Sequence, residues 1–192
     1  MMRVHYPQLF ADQPDRERAE AFAARVYELS WFLVHVLDCR LADRGEPVTV
    51  TWHASCHSMR EMGVTDEPKR LLRSLENVTL IENPRERECC GFGGTFSLKN
   101  PDVSAAIAEE KIEKVTASGA SLCTGGDASC LLHLDGAMHR REARGQDGRP
   151  LRTVHLAEIL AATRENPLEV DGPVELSIPA SAGARRGPSA RV

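Results

Sequence analysis

The chain has 192 residues, with 28 acidic against 24 basic side chains and a formal net charge of −4. That length holds one compact domain or a little more, and 42% hydrophobic residues supply a core, which excludes a chain disordered throughout. The mild acidity gives no electrostatic footing for a nucleic-acid partner, and no apolar run approaches the ~20 residues of a membrane span. The opening Met-Met-Arg-Val-His-Tyr-Pro carries no apolar region of signal-peptide type, so the expected compartment is the cytoplasm.

Residues 14–37 read as one long helix. Phe22, Val26, Leu29, Leu33 and Leu37 recur at helical spacing behind a polar start, Asp15-Arg16-Glu17-Arg18. The stripe, with Trp31 and Phe32 beside it, reads as ordinary packing. At ~1.5 Å per residue such a helix spans ~36 Å and needs a surface along its whole length. Asp43 to Pro47 is a loop, and Val48 to Trp52 is a β-branched run that reads as a strand. His53 to His57 then forms the connection to a helical segment, and Pro68 to Leu75 reads as a short helix. Val78 to Ile81 is the next strand, followed by a polar loop into Cys89. Asn100-Pro101 starts a helix, with Asn as the expected cap and Pro at the first position. Val103, Ile107, Ile112 and Val115 give that helix its apolar side, and Gly119 closes it. Ala120 to Thr124 is a third strand, and Ser129 to His133 opens another helical turn. Thr153 to Ala162 reads as a strand leading into a last helix, where His155 plays a structural part. From Glu165 the chain lacks aromatic residues and is rich in Pro, Gly, Ala, Ser and Arg, so residues 165–192 are expected to form a disordered tail. The pair Arg185-Arg186 within it reads as solvating.

Strands alternating with helices imply an α/β fold with a mostly parallel, doubly wound sheet. Sites in such sheets lie at the carboxyl ends of the strands. Cys56 follows the first strand, Cys89-Cys90 the second and Cys130 the third, so the topology brings four sulfurs to one edge. A chain without a secretory signal keeps its six cysteines reduced, which favours metal or redox chemistry over a disulfide framework. The neighbours Cys89 and Cys90 are a poor disulfide pair, because adjacent alpha-carbons lie ~3.8 Å apart against a usual ~4.4–6.8 Å. Thiolates at these positions suit an iron–sulfur cluster or tetrahedral zinc, and spacing alone does not choose between them. Cys39 and Cys123 read as small buried hydrophobes. A compact Cys-x-x-Cys knuckle, a nucleophile triad and a phosphate-binding loop are all missing, and Gly91-Phe92-Gly93-Gly94 stops short of a dinucleotide fingerprint.

Thirty-two residues separate Cys56 from Cys89, and thirty-five separate Gly91 from Asp127. The carrying segments are His53-Ala54-Ser55-Cys56-His57, then Glu88-Cys89-Cys90-Gly91-Phe92-Gly93-Gly94-Thr95-Phe96-Ser97, then Gly126-Asp127-Ala128-Ser129-Cys130-Leu131-Leu132-His133. This layout resembles the cysteine-rich CCG domain of heterodisulfide-reductase-type subunits and glycolate oxidase iron–sulfur subunits. The closer resemblance, over about residues 1–162, is to the lactate utilization protein A family. It implies an iron–sulfur cluster of the 4Fe–4S type held by Cys56, Cys89, Cys90 and Cys130. Gly91, Gly93 and Gly94 then either bring backbone amides close to the sulfurs or simply form a turn. His57 and His133 lie beside the ligands, to tune the potential or relay protons, or as plain packed histidines. Asp127 occupies the first position of the family's closing Cys-x-x-Cys, and either caps the turn before Cys130 or offers an oxygen ligand.

The resemblance further implies an electron-transfer subunit in the oxidation of L-lactate to pyruvate, working with other subunits that include a ferredoxin-like iron–sulfur protein. A lone cluster passes electrons but does not deprotonate a hydroxy acid, so the chain is expected to serve within an oxidoreductase and not as a complete enzyme. The alternatives are a zinc–thiolate assembly module and a fragment of a two-domain protein. Family members carry two CCG domains, and this chain matches the linking helix and the second. The expected division is a linking segment at 1–43, the cysteine-rich domain at 44–164 and the tail at 165–192. The opening His5-Tyr6-Pro7-Gln8-Leu9-Phe10 looks like mid-protein sequence. Ala54 stands where the family has an acidic residue, and Cys123 matches no ligand position.

Overall fold

A computed structural model describes residues 1–41, 46–145 and 151–168. Four strands, β1 (Val48–His53), β2 (Val78–Ile81), β3 (Leu122–Gly125) and β4 (Arg152–His155), form one sheet in the order β2-β1-β3-β4. Every pairing is parallel, as the alternation of elements predicts. The strand β1 lies inside the sheet, and its residues Val50 to His53 are all buried. Water reaches neither face there, which suits its run of Val, Thr and Trp. The chain adds β2 on one side of β1, then crosses over to lay β3 and β4 on the other. The winding therefore reverses between β1 and β3, the position where open α/β sheets build their sites.

Helices cover both faces. The helices α4 (Cys56–Arg60) and α5 (Glu67–Arg73) lead from β1 to β2, and α6 (Thr95–Lys99) and α7 (Pro101–Ala117) lead from β2 to β3. The helix α8 (Ala128–Ala143) joins β3 to β4, and α9 (Leu156–Ala161) follows. Successive strand side chains point to opposite faces. Val50, Trp52, Leu122 and Val154 accordingly pack with Leu72, Leu75 and Ile159. On the opposite face Cys123 packs with Ala108, Ile112 and Val115 of α7 and with Leu134, Ala137 and Met138 of α8.

The N-terminal segment departs from the expected long helix. It forms α1 (His5–Leu9), α2 (Arg16–Ala23) and α3 (Leu29–His35), with a break between the last two. Glu28 causes the break: its backbone is extended and its carboxylate accepts from the amides of Ser30 and Trp31, starting a new helix. Before it, the amides of Arg25 and Val26 bond three residues back, and the α2 spiral tightens and ends. The apolar stripe is thereby split. Val34 is buried, whereas Phe22, Leu29 and Leu37 are exposed. The helix α3 lies against α5, where His35 pairs with Glu67 at 3.0 Å.

Smaller differences have local causes. The side chain of Asn100 makes no capping bond at the start of α7, and Pro101 alone marks that start. Val103 is exposed, because the inward face of α7 is set by Ser104, Ala108, Lys111, Ile112 and Val115. The expected turn at Ser129–His133 extends into the sixteen residues of α8. His155 caps α9 through the amide of Ala157, and the Glu158 carboxylate accepts from the His155 amide in return. Residues 43–45 of the expected loop and 169–192 of the expected tail lie outside the described residues, while Leu168 packs against the first core cluster.

Lys111 is a buried cation. Its side chain is 1% exposed, and its ammonium donates to the carbonyls of Arg85 at 2.7 Å and Glu86 at 3.0 Å. Burial draws its pKa down, against the pull of Cys123, Glu88, Cys90 and Glu86. The loop between β2 and Cys89 is therefore anchored to α7 by a charge-assisted clamp. Lys111→Met keeps the volume and removes both bonds, and lost desolvation cost offsets part of the loss. A destabilisation of about 1–3 kcal/mol is expected, read from the midpoint of urea unfolding.

Candidate metal centre

Three connections meet at the carboxyl edge of the sheet. Cys56 is the first residue of α4, where Ser55 caps the helix by accepting from the Ser58 amide. Cys89 and Cys90 end the loop that follows β2, and Cys130 stands in the first turn of α8. Cys90 and Cys130 are buried, Cys56 is half-buried and Cys89 is exposed. Cys56 lies within hydrogen-bonding reach of Cys89, and its charge interacts with those of Cys90 and Cys130. The fold thus brings the sulfurs to one edge as two close pairs, Cys56 with Cys89 and Cys90 with Cys130.

A fifth side chain joins them. A ring nitrogen of His53, Sγ of Cys90 and Sγ of Cys130 all lie within 4.8 Å of one another, and all three residues are buried. His53 ends β1 and pairs in register with Gly125 of β3, two positions beyond the Thr51–Cys123 pair. Its ring consequently faces the α7–α8 side of the sheet. Neither ring nitrogen makes a hydrogen bond of normal length and angle, although the ring stands close enough to Cys90 to favour its thiolate. Sequence reasoning placed His53 in the connection and gave it no role. The available signal was its parity with Thr51 and its place three residues before Cys56.

The electrostatics of the sulfurs are strongly asymmetric. The Cys130 thiol donates to Cys90, which lowers the Cys90 pKa to about 4 against the opposing effect of burial, with His53 and the Phe92 amide assisting. Cys130 is driven up in turn, because it keeps the proton it shares with Cys90, because it is buried, and because Asp127 and Cys56 repel its thiolate. Burial first, then Cys89, raises Cys56. Cys123 stands apart, fully buried on the α7–α8 face with its thiol pushed up to about 12. Cys39 lies half-buried just beyond α3, outside the group.

The remaining sequence candidates divide into supports and bystanders. Gly91 adopts φ +92°, and a Cβ there would meet the Ser104 carbonyl oxygen at 2.5 Å. Its amide donates to Cys89 Sγ at 3.3 Å, and its carbonyl accepts from Ser104 Oγ at 2.8 Å. His133 reinforces that bond, with Nε2 at 3.2 Å from Ser104 Oγ and its ring against Phe92. Gly93 has positive φ and meets Phe96, and Gly94 precedes α6. Asp127 turns Oδ1 onto the first turn of α8, accepting from Ser129 N, Ser129 Oγ and Cys130 N. Burial would raise its pKa, but these bonds and His57 hold it below the usual carboxylate range. His57 is exposed and stands near Glu61 and Asp127, away from the sulfurs.

Soft thiolates and an imidazole, largely shielded from water, fit a soft or borderline metal and suit both zinc and iron–sulfur centres. The orphaned nitrogens of His53 point the same way, because buried polar groups are ordinarily paired.

A parallel sheet carrying cysteines at three strand ends defines a cysteine-rich domain of the CCG kind, and residues 50–135 match that family. The chain is 42% identical over 161 residues to lactate utilization protein A of Exiguobacterium sp., covering 83% of this chain and 63% of the relative. Against lactate utilization protein A of Oceanobacillus iheyensis it is 40% identical over 167 residues, covering 85% and 65%. Against that of Lysinibacillus sphaericus it is 38% identical over 162 residues, covering 83% and 68%. The chain belongs to the lactate utilization protein A family. It spans about two thirds of the length of these curated relatives.

Gly91→Ala adds a methyl group against the Ser104 carbonyl in a left-handed backbone. A loss of about 2–4 kcal/mol is expected from the combined clash and strain. Thermal unfolding of the two proteins side by side measures it, and an unchanged midpoint would mean that the loop relaxes freely.

Proposed function

We propose that this chain is an iron–sulfur electron-transfer subunit serving the oxidation of L-lactate to pyruvate, with Cys56, Cys89, Cys90 and Cys130 as the sulfur ligands. The observation that supports the reading is the arrival of two thiol pairs, Cys56 with Cys89 and the buried Cys90 with Cys130, at the carboxyl edge by the switch point of the sheet. The names of the relatives suggest the metabolic setting. A bound cluster would supply one-electron transfer at a potential set by its ligands, nearby hydrogen bonds and exposure.

This chain's own residues do the holding. Cys130 gives up the proton it shares with Cys90, and Ser55 and Asp127 fix the helix starts that aim Cys56 and Cys130. Gly91 and Ser104 fix the backbone beside Cys89 and Cys90. Oxidising lactate to pyruvate removes two electrons and two protons. The substrate chemistry is assigned to a partner subunit, and the electrons pass on through a ferredoxin-like iron–sulfur protein. The reading assigns this work to a reducing compartment, the cytoplasm, where thiols stay available for a metal, and it assigns residues 44–164 as the working unit. No helix of the described residues is long and apolar enough to cross a membrane.

Iron and acid-labile sulfide per chain, measured after anaerobic purification or reconstitution, test the assignment. Stoichiometric iron and sulfide are expected in the wild type and a loss of both in Cys90→Ser. Zinc with no sulfide would move the site to the structural class. Loading also carries a pH signature. Cys56 and Cys130 are both held protonated relative to an ordinary thiol, so binding must expel their protons. Metal uptake at fixed concentration should therefore strengthen between about pH 6.5 and pH 8.5, as a competition titration against a chelator will register.

A further inference from the structure

We infer that His53 is a metal ligand: a ring nitrogen coordinates the same metal centre as Cys90 and Cys130, so that the centre is bound by nitrogen and sulfur together. The inference deepens the proposed function and rests on its reading of this site as a metal centre.

Three observations carry it. His53 is 1% exposed, and both ring nitrogens lack hydrogen-bond partners. An imidazole in that condition loses its hydration with only a loose interaction with Cys90 in return, unless a bound metal completes it. The same ring faces Cys90 and Cys130, and the three ligand atoms lie within 4.8 Å of one another. Atoms bound to one tetrahedral zinc or iron at ~2.0–2.3 Å stand roughly 3.5 Å apart. The three donors are therefore close enough to ligate one metal centre after small side-chain rotations. The third observation concerns Asp127. Its Oδ1 accepts from Ser129 and Cys130 at the start of α8 and its Oδ2 stands 4.0 Å from His57 Nδ1, so the carboxylate is turned toward the helix start and an exposed imidazole.

Charge favours a nitrogen at this place. Each thiolate ligand adds a negative charge to a group that is largely out of water, and a neutral imidazole adds none. Replacing sulfur by imidazole on iron raises the potential of a cluster. His53 also ends an interior strand and pairs in register with Gly125 of β3. Its backbone approaches the next strand closely: a Cβ on Gly125 would lie 3.1 Å from the His53 carbonyl oxygen.

The test uses the full chain, reconstituted with iron and sulfide, reduced, and grown with ¹⁵N-histidine. Pulsed electron paramagnetic resonance should reveal a nitrogen coupling of ligand strength that changes with the isotope. It should vanish in His53→Cys, which offers sulfur in the same place and keeps the iron, at a lower reduction potential. A spectrum indifferent to the label, or unchanged in His53→Cys, overturns the inference while the iron–sulfur reading stands. Should the chain take zinc in place of iron, X-ray absorption reads the ligand shell directly. One nitrogen lost in His53→Cys would then uphold His53 as a ligand while the iron–sulfur reading falls, and an all-sulfur shell would overturn both. A wild-type chain that binds neither metal overturns both as well.

Discussion

Every strand of the sheet runs the same way, and the site depends on that constraint. Parallel strands force each connection to leave from one edge and return to the other, so the residues just past β1, β2 and β3 share the carboxyl edge. The reversal of winding between β1 and β3 then parts the connections at that point and opens room between them. Cys56 and Cys130 flank the gap from the two adjacent strands, and Cys90 reaches it from β2. None of these contacts is local in sequence. The centre exists only once the sheet has formed, and a ligand that binds it stabilises the folded chain by mass action.

Gathering thiols out of water carries an electrostatic cost, and the chain meets it with shared protons and one distant cation. The Cys90–Cys130 contact favours the thiolate on Cys90 and the thiol on Cys130, which disfavours two neighbouring negative charges. The Lys111 ammonium lies within electrostatic reach of Cys90 and Cys123 while its hydrogen bonds go to the loop carbonyls. One side chain thus moderates the local charge and anchors the backbone that presents Cys89 and Cys90. A second clamp acts on that loop from the opposite face, where Lys69 pairs with Glu86 at 3.0 Å. The Glu86 carbonyl also accepts from the Ala54 amide, tying the loop to the residue after β1. The position of the cysteine pair is thereby set by α7, α5 and β1 as much as by β2.

Much of this was legible in the sequence because it rests on short-range rules. Val48 to Trp52 and Val78 to Ile81 announce strands by β-branching, and Asn100-Pro101 announces a helix start. The order of strands and cysteines was enough to place four sulfurs at one edge. What stayed hidden depends on three-dimensional competition. Glu28 lies inside a helical apolar pattern, and only its capping of Ser30 and Trp31 reveals the break. Lys111 looks like any solvated lysine until the loop carbonyls of Arg85 and Glu86 close over it. His53 looks like a strand-end residue, and its meaning appears only when the register carries it to the same face as Cys90 and Cys130.

The adjacent cysteines bear most directly on the kind of metal chemistry this edge supports. Cys89 is exposed and Cys90 is buried, so two neighbouring residues link the interior of the group to the surface. A closed structural zinc site has no use for such a link, because its ligands serve only to hold the ion and the fold. An electron relay needs it, since the partner must approach the centre without entering the core. The Gly91 amide, donating to Cys89 Sγ, steadies the exposed sulfur at that boundary and would stabilise added negative charge there. Burial on one side and access on the other is the arrangement expected of a centre that exchanges electrons with another protein, and it favours the redox reading over the purely structural one.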